Sequence, residues 1–295
     1  MNEKQPEKKD RCYQIPNPVL LRLTGSDRQK WLHNFCTADI KKLEPGQGCE
    51  AFVLNVKGKT MAHVIVLATK YDLTLMTLGA TELPLTEHFL KYIITEDVQI
   101  EDLTGNQDLW YVTGDRMDRM FESRFPSREA YQHSLVRDQV IAVSTQISQR
   151  PDWLLLVNKT DPVAEWNAGM DRMTEVEFDF QRFTNRFPLT GIDVSVEHLP
   201  QEYGRDKEAI SFTKGCYLGQ ETVARIDALG HVNYLFVQLA LPSETIAKGA
   251  ELTRDAKVVG SVSTISGNRG LGFVRRLMAK PDERFQCAEG EVRVL

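Results

Sequence analysis

The stretch of this chain best equipped for chemistry is Lys214-Gly215-Cys216-Tyr217-Leu218-Gly219-Gln220-Glu221. A cysteine follows close on a lysine, stands between two glycines, and precedes a helix-like run over residues 222–226. Residues 209–213 read as a short strand, which puts the thiol of Cys216 on a strand-to-helix turn. Gly215 and Gly219 permit sharp backbone angles and close approach of another molecule. A helix N-terminus and a neighbouring ammonium both favour thiolate over thiol, and thiolate is the nucleophile and the metal ligand. Cys216 and Lys214 are therefore the candidate catalytic residues. The competing reading is structural, because a single cysteine is commonly inert packing.

Other motifs carry less. Gly58-Lys59-Thr60 has the tail of a phosphate loop, but Val53 stands where its first glycine belongs. The glycines of residues 267–272 have the reverse spacing of a dinucleotide fingerprint and lie among short strands, so a turn is the better reading. None of the six histidines has metal-ligand spacing, and His33 with Cys36 on one helix face is only a pair. Lys57, Lys59, Lys214 and Arg225 could form a basic rim; a solvated hairpin tip is the preferred reading.

The elements that must position Cys216 follow from periodicity. Strands are predicted at residues 19–25, 51–55, 60–69, 73–78, 98–103, 109–113, 140–147 and 153–157, with a hairpin through Lys57-Gly58-Lys59. Helices are predicted from Ser26 or Asp27 to about Cys36, over 81–94, from Gly114-Asp115, from Asp161-Pro162, and over 175–182. Leu23-Thr24-Gly25-Ser26-Asp27-Arg28 and Val112-Thr113-Gly114-Asp115-Arg116 share a strand, a Thr-Gly turn, an acidic cap and an arginine. They are a weak echo of two similar α/β halves, and chance would serve nearly as well. Beyond the cysteine motif, short strands between Gly, Pro and Asp turns point to a β-barrel or sandwich of about 65 residues.

The bulk properties bound the function. A chain of 295 residues with 42% hydrophobic and 26% charged residues is ordinary globular protein of about two domains. A net charge of −5 argues against a surface built for nucleic acid. Five scattered cysteines without a C-x-x-C pair fit a reducing cytoplasm, not a disulfide framework. The first residues lack the apolar core of a signal peptide, and no apolar run reaches the length of a membrane span.

The motif, with Ser211-Phe212-Thr213 before it, resembles the signature of the YgfZ family, folate-binding relatives of the glycine-cleavage T-protein. Phe187-Pro188-Leu189-Thr190-Gly191-Ile192-Asp193, His198-Leu199-Pro200-Gln201-Glu202, Val223-Ala224-Arg225 and Gly230-His231-Val232-Asn233 extend the match. Leu54-Asn55-Val56-Lys57-Gly58-Lys59 resembles the T-protein hairpin, and residues 259–262 and 270–276 its terminal barrel. The resemblance implies an α+β, GcvT-like fold: two ferredoxin-like α/β lobes and a C-terminal β-barrel around a central channel. The mixed charges of the N-terminus read as a disordered head over residues 1–17, and the resemblance implies a folate-binding-type region over 18–227 and the barrel over 228–295. It also implies tetrahydrofolate or a derivative held by Asn55, Tyr217, Gln220, Glu221 and Arg225, no metal site, and Cys216 as the working residue. One position departs from the pattern. Relatives often carry a glutamate that binds the pterin, in an Arg-x-Glu-Ala-Gly-like segment before Phe-Pro; here residues 182–188 place Thr184 there and Arg186 at the glycine. A hydroxyl cannot replace the two charge-assisted hydrogen bonds of a carboxylate, a loss of about 1.5–3 kcal/mol.

The resemblance implies a factor for iron–sulfur cluster assembly or repair that affects tRNA modification indirectly. Its partners would be iron–sulfur proteins or radical-SAM tRNA-modifying enzymes, and the chain itself a cytoplasmic monomer that does not bind nucleic acid directly. The alternative is a tetrahydrofolate-dependent aminomethyl or one-carbon transferase. That chemistry needs an acid–base group beside the folate nitrogen, and the sequence names none. A non-enzymatic RNA-binding module is a third reading, opposed by the acidic charge.

Overall fold

The structure is a computed structural model that describes residues 9–122, 124–125, 129–137, 140–160 and 167–295. It opens with β1 (Arg11–Gln14), β2 (Leu20–Thr24), α1 (Arg28–His33), β3 (Gly48–Leu54), β4 (Thr60–Ala68), β5 (Leu73–Met76), α2 (Leu85–Leu90) and β6 (Gln99–Asp102). Next come β7 (Gln107–Thr113), α3 (Asp115–Glu122), β8 (His133–Arg137), β9 (Val140–Thr145), β10 (Asp152–Asn158), β11 (Asp171–Arg172) and α4 (Glu175–Phe183). One sheet runs β3-β4-β5-β2-β6 and the other β11-β1-β7-β10-β9-β8.

Alternation of side chains along each strand builds the layers. Leu20, Ile65, Leu67 and Met76 of the first sheet meet Leu109, Tyr111, Leu154 and Leu156 of the second in one shared core. The opposite face of the first sheet packs Leu21, Leu23, Val64 and Val66 against Trp31 and Leu32 of α1 and Phe89 of α2. The opposite face of the second packs Trp110, Val112, Trp153 and Leu155 against Met117 and Phe121 of α3.

The sequence echo is a structural repeat. Each half has a strand (β2 or β7), a helix (α1 or α3) and an antiparallel three-strand meander, whose last strand returns to pair with the first. A fifth strand, β6 or β1, closes the other side. Gly25 and Gly114 both take positive φ, +97° and +132°. A Cβ at Gly25 would stand 2.0 Å from Asp97 O, and one at Gly114 2.6 Å from Asp10 Cα. The acid preceding each fifth strand caps the turn: Ser26 N donates to Asp97 (2.8 Å) and Arg116 N to Asp10 (3.0 Å). Because β1 completes the second half and β6 the first, the chain laces the two lobes together.

After α5 (Asp206–Ala209) and α6 (Gln220–Leu229) come β12 (Tyr234–Ala240), β13 (Glu251–Arg254), β14 (Lys257–Ser266), β15 (Arg269–Arg275), β16 (Arg284–Cys287) and β17 (Gly290–Val294). They close a barrel in the order β12-β15-β14-β13-β16-β17 around Leu239, Leu252, Val262, Val274, Phe285 and Val292. The fold is thus α+β with two sheet lobes and a six-stranded barrel.

Three expectations change, and a fourth is not reached. Residues 11–14 of the supposed head form β1, because Cys12 is buried against the second sheet. The helix expected over 81–94 is only α2: Pro84 sets its start, and Leu83 and Ile94 face solvent. The strand expected over 209–213 is absent. Ala209 N and Ile210 N bond back to Arg205 O and Asp206 O, ending α5, and an irregular segment follows. The helix start at Asp161-Pro162 lies outside the described residues.

Two buried ionic knots join the units. Arg182 of α4, fully buried, donates to Asp179 (2.7 Å), Asp193 (2.7 Å), Phe187 O (2.9 Å) and Thr264 of the barrel (2.6 Å). Glu50 of β3 accepts both arms of Arg205 and the Tyr131 hydroxyl, with His63 Nε2 of β4 at 2.8 Å. Burial alone would push the Glu50 carboxyl up, but the His63 bond and the Arg205 charge hold it down at about 2.

Removing one member of such a knot strands a buried charge. Arg182→Met is expected to lose about 3–5 kcal/mol in urea unfolding, whereas Arg284→Met, which breaks an exposed pair with Glu291, loses at most about 1 kcal/mol. The stability contributed by Glu50 is complete above its ordinary value of 4.5 and drains as pH falls toward 2. Denaturant midpoints measured down that range should fall, and less steeply in Glu50→Gln.

Candidate functional site

The cysteine motif lies on the irregular segment between α5 and α6, and a helix-to-strand connection of the first lobe is its bed. Lys214 carries the attachment. Its ammonium donates to three carbonyls of that connection: His33 O (2.5 Å), Cys36 O (2.8 Å) and Ala38 O (2.7 Å). An ammonium has three donors, and all are used. Burial pulls the Lys214 pKa down, and the ring of Tyr217 covers the charge at 4.8 Å. Ser211 N donates to Thr37 O (2.9 Å), Leu218 N to Asn34 O (2.9 Å), and the buried Thr37 hydroxyl to Ala209 O (2.6 Å).

A second contact fixes the far end. The hairpin turn between β3 and β4 docks on the start of α6. Gly219, at φ +79°, sits so close that a Cβ would stand 2.6 Å from Asn55 O and 2.9 Å from Gly58 Cα. The Thr222 hydroxyl donates to Lys57 O (3.0 Å). With both ends tied down, Cys216 stands exposed between them.

The expected site residues divide. Lys214 is an anchor: all three N–H bonds of its ammonium go to backbone carbonyls of the first lobe. Cys216 lies four residues before α6, on a loop and not on a strand-to-helix turn. Gly215 has an ordinary φ and open space where a Cβ would go, so only Gly219 of the two glycines is required by geometry. The Asn55 side chain accepts from Lys57 N (2.9 Å) and Lys59 N (3.1 Å), forming the turn. Gln220 accepts from Tyr217 N (2.9 Å), and Tyr217 packs partly buried beside Phe52 and Val223. Glu221 and Arg225 lie on the exposed face of α6. Thr184 ends α4 with its side chain exposed and its carbonyl taken by Gln238 (3.1 Å); Arg186 donates to Phe236 O (3.2 Å).

Sequence reasoning missed the acceptors of Lys214, which are backbone carbonyls without sequence identity. It also missed Glu50 and His63. Their signal was present: each is a polar residue inside an otherwise apolar strand. Among the described residues no group of three or more His, Cys, Asp or Glu side chains is placed to hold a metal ion.

Residues 235–295 match the CAF17 C-terminal beta-barrel domain. A chloroplastic protein of Arabidopsis thaliana, named only provisionally as a transferase, is 27% identical over 88% of this chain and 64% of its own length. The mitochondrial iron–sulfur cluster assembly factor IBA57 of Homo sapiens is 24% identical over 95% of this chain and 81% of its own. The tRNA-modifying protein YgfZ of Blochmanniella pennsylvanica is 27% identical over 72% of this chain and 66% of its own. The chain thus spans somewhat less than two-thirds of the Arabidopsis and bacterial relatives. In fold it is similar to the glycine cleavage system aminomethyltransferase T of Bartonella henselae, with a TM-score of 0.78 over 98% of this chain and 85% of that one at 14% identity.

The two motif glycines separate docking from mere motif. Gly219→Ala is expected to cost more than about 1 kcal/mol in thermal or urea unfolding, through strained φ and a backbone clash; Gly215→Ala should stay within about 0.5 kcal/mol.

Proposed function

We propose a function from one premise: this chain belongs to the YgfZ/GcvT-like family, a folate-binding type with iron–sulfur and tRNA-related members. The proposed role is that of an accessory factor in iron–sulfur cluster assembly or repair. It acts through the thiol of Cys216 and touches tRNA modification only through the cluster enzymes it serves, among them radical-SAM enzymes. The observation that carries this reading is the exposure of Cys216 on a loop tied down at both ends, with Lys214 spent entirely on the tie.

One thiol cannot hold a cluster alone, since clusters usually take four ligands. The cluster is therefore cargo. The Cys216 thiolate would ligate one iron in transit and then be displaced on that iron by a thiolate of the partner, and the pinned loop spares the ordering cost of a flexible one. The net charge of −5 favours a protein partner over nucleic acid. The unpaired cysteines favour a reducing compartment, here proposed as the cytoplasm. No helix among the described residues is long and apolar enough to cross a membrane.

Tetrahydrofolate is the cofactor this family type implies, and the residues expected to hold it fit it poorly. Of the five, Asn55 and Gln220 have their acceptor oxygens engaged by backbone N–H groups, Tyr217 packs partly buried beside Phe52 and Val223, and Glu221 and Arg225 lie on the exposed face of α6. The Thr184 side chain is exposed and offers no carboxylate. The one-carbon transferase reading gains no acid–base group.

The decisive assay uses cells lacking the native gene, scored by the activity of an iron–sulfur enzyme. Wild-type protein should restore it and Cys216→Ser should not, with both accumulating equally; full restoration by Cys216→Ser would end this reading. In parallel, calorimetry with tetrahydrofolate should give no micromolar binding to the purified protein, and a saturable micromolar heat would show that other residues hold the cofactor.

A further inference from the structure

One end of the barrel gathers cations in a chain whose net charge is −5. Strand pairing shows which end. Tyr234 at the start of β12 pairs with Arg275 at the end of β15, Arg254 at the end of β13 with Lys257 at the start of β14, and Arg284 at the start of β16 with Arg293 near the end of β17. In a closed antiparallel barrel these termini share one rim. A single 3-10 turn, Arg276–Met278, follows β15 there. Met278 and Ala279 tuck against the barrel core, whereas Leu277 stays 76% exposed.

The cations of the rim are of two kinds. Arg254, Arg284 and Arg293 are paired with Glu283, Glu291 and Asp282. Lys257, Arg275, Arg276 and Lys280 are exposed and form no ion pair among the described residues; Arg275 only lies over the ring of Tyr234, at 5.7 Å. Asp255, in the turn before Lys257, offsets one of the four. Like charges gathered on one rim repel, and the facing carboxylates of a partner relieve that repulsion while guiding its approach. A lone exposed leucine is ordinary. Here it stands among the free cations, and Val258, next to Lys257, is 46% exposed as well. An apolar centre ringed by charge, with arginine among the cations, is the anatomy of a protein interface.

The rim also continues toward the cysteine motif. Arg276 lines a cavity of about 260 Å³ together with Phe212 of the motif segment, and it faces Asp206 and Asp227 there without closing an ion pair on either. A partner seated on the rim therefore lies along the surface that leads to Cys216. A lipid bilayer or a nucleic acid would also answer the positive charge, but neither makes use of that continuity.

We propose that this rim is the docking surface for the iron–sulfur protein that Cys216 serves: Lys257, Arg275, Arg276 and Lys280 face an acidic surface of that protein, and Leu277 enters an apolar pocket within it. The identity of the partner rests on the function proposed above.

The test reverses the rim's charge in the full-length protein, as Arg276→Glu with Lys280→Glu. The control, Lys70→Glu with Lys91→Glu, makes the same charge change on exposed residues of the first lobe. Both should keep the wild-type unfolding midpoint, since no buried side chain is altered. The probe is the purified apo form of the iron–sulfur enzyme scored in the complementation assay. It should bind the wild type saturably and less tightly as salt rises. The reversed rim should weaken binding at least about tenfold and Leu277→Ser about threefold or more, while the control stays within about twofold. In cells lacking the native gene, the reversed rim should fail to restore the enzyme and the control should restore it. The proposal is overturned if the apo enzyme does not bind, if the control weakens binding as much as the reversed rim, if the reversed rim restores the enzyme fully, or if vesicles of equal parts phosphatidylcholine and phosphatidylglycerol, or bulk tRNA, compete the enzyme off the rim. The two ideas fail separately. Restoration by Cys216→Ser removes the thiol reading and leaves the binding result to judge the rim, whereas wild-type behaviour of the reversed rim removes the docking inference alone.

Discussion

The bidentate pair of Glu50 and Arg205 is the constraint on which the architecture turns. Glu50 sits in the middle of β3, fully buried, where an ionised carboxylate is tolerated only if every lone pair is answered. Arg205, Tyr131 and His63 answer it from three parts of the chain: the start of α5, the edge of the second lobe, and β4. Asn185 O and the face of Phe187 receive the remaining side of the guanidinium. One charge thus fixes the two lobes against each other and sets where the motif segment begins. The Arg182 knot does the same for α4 and the barrel, through Asp193 and the hydroxyls of Ser263 and Thr264.

Starting from Arg205, the chain has few residues in which to reach α6. Its path is set by what it meets: the carbonyls of His33, Cys36 and Ala38, and a hairpin turn so close that only a glycine fits against it. Lys214 meets the first requirement and Gly219 the second. The residue left facing water between them is Cys216. The motif is therefore mostly a docking device, and under the proposed function its chemistry is confined to one sulfur.

Much of the fold was legible in the sequence. Continuous apolar strands such as β7 and β10, buried on both faces, were placed to within a residue or two, and the Thr-Gly echo marked a real repeat, because its glycines are forced by contact with Asp97 and Asp10. The C-terminal barrel was legible except β16, whose four residues carry only one buried apolar side chain, Phe285. The errors share a cause. Residues 209–213 look like a strand because Ile210 and Phe212 alternate with polar residues, yet the bonds available at that point were to Arg205, Asp206 and Thr37. The anchoring of Lys214 was hidden for a like reason, since its three acceptors are backbone carbonyls far away in sequence.

Under the proposed function, activity needs Cys216 presented by an anchored loop, and not merely a cysteine in the chain. Lys214→Met tests this most directly, because it removes the anchor and leaves the thiol. In cells lacking the native gene the variant should accumulate, show faster hydrogen exchange confined to residues 33–38 and 211–219, and fail to restore iron–sulfur enzyme activity. Full restoration by Lys214→Met, with that exchange confirmed, would contradict the account.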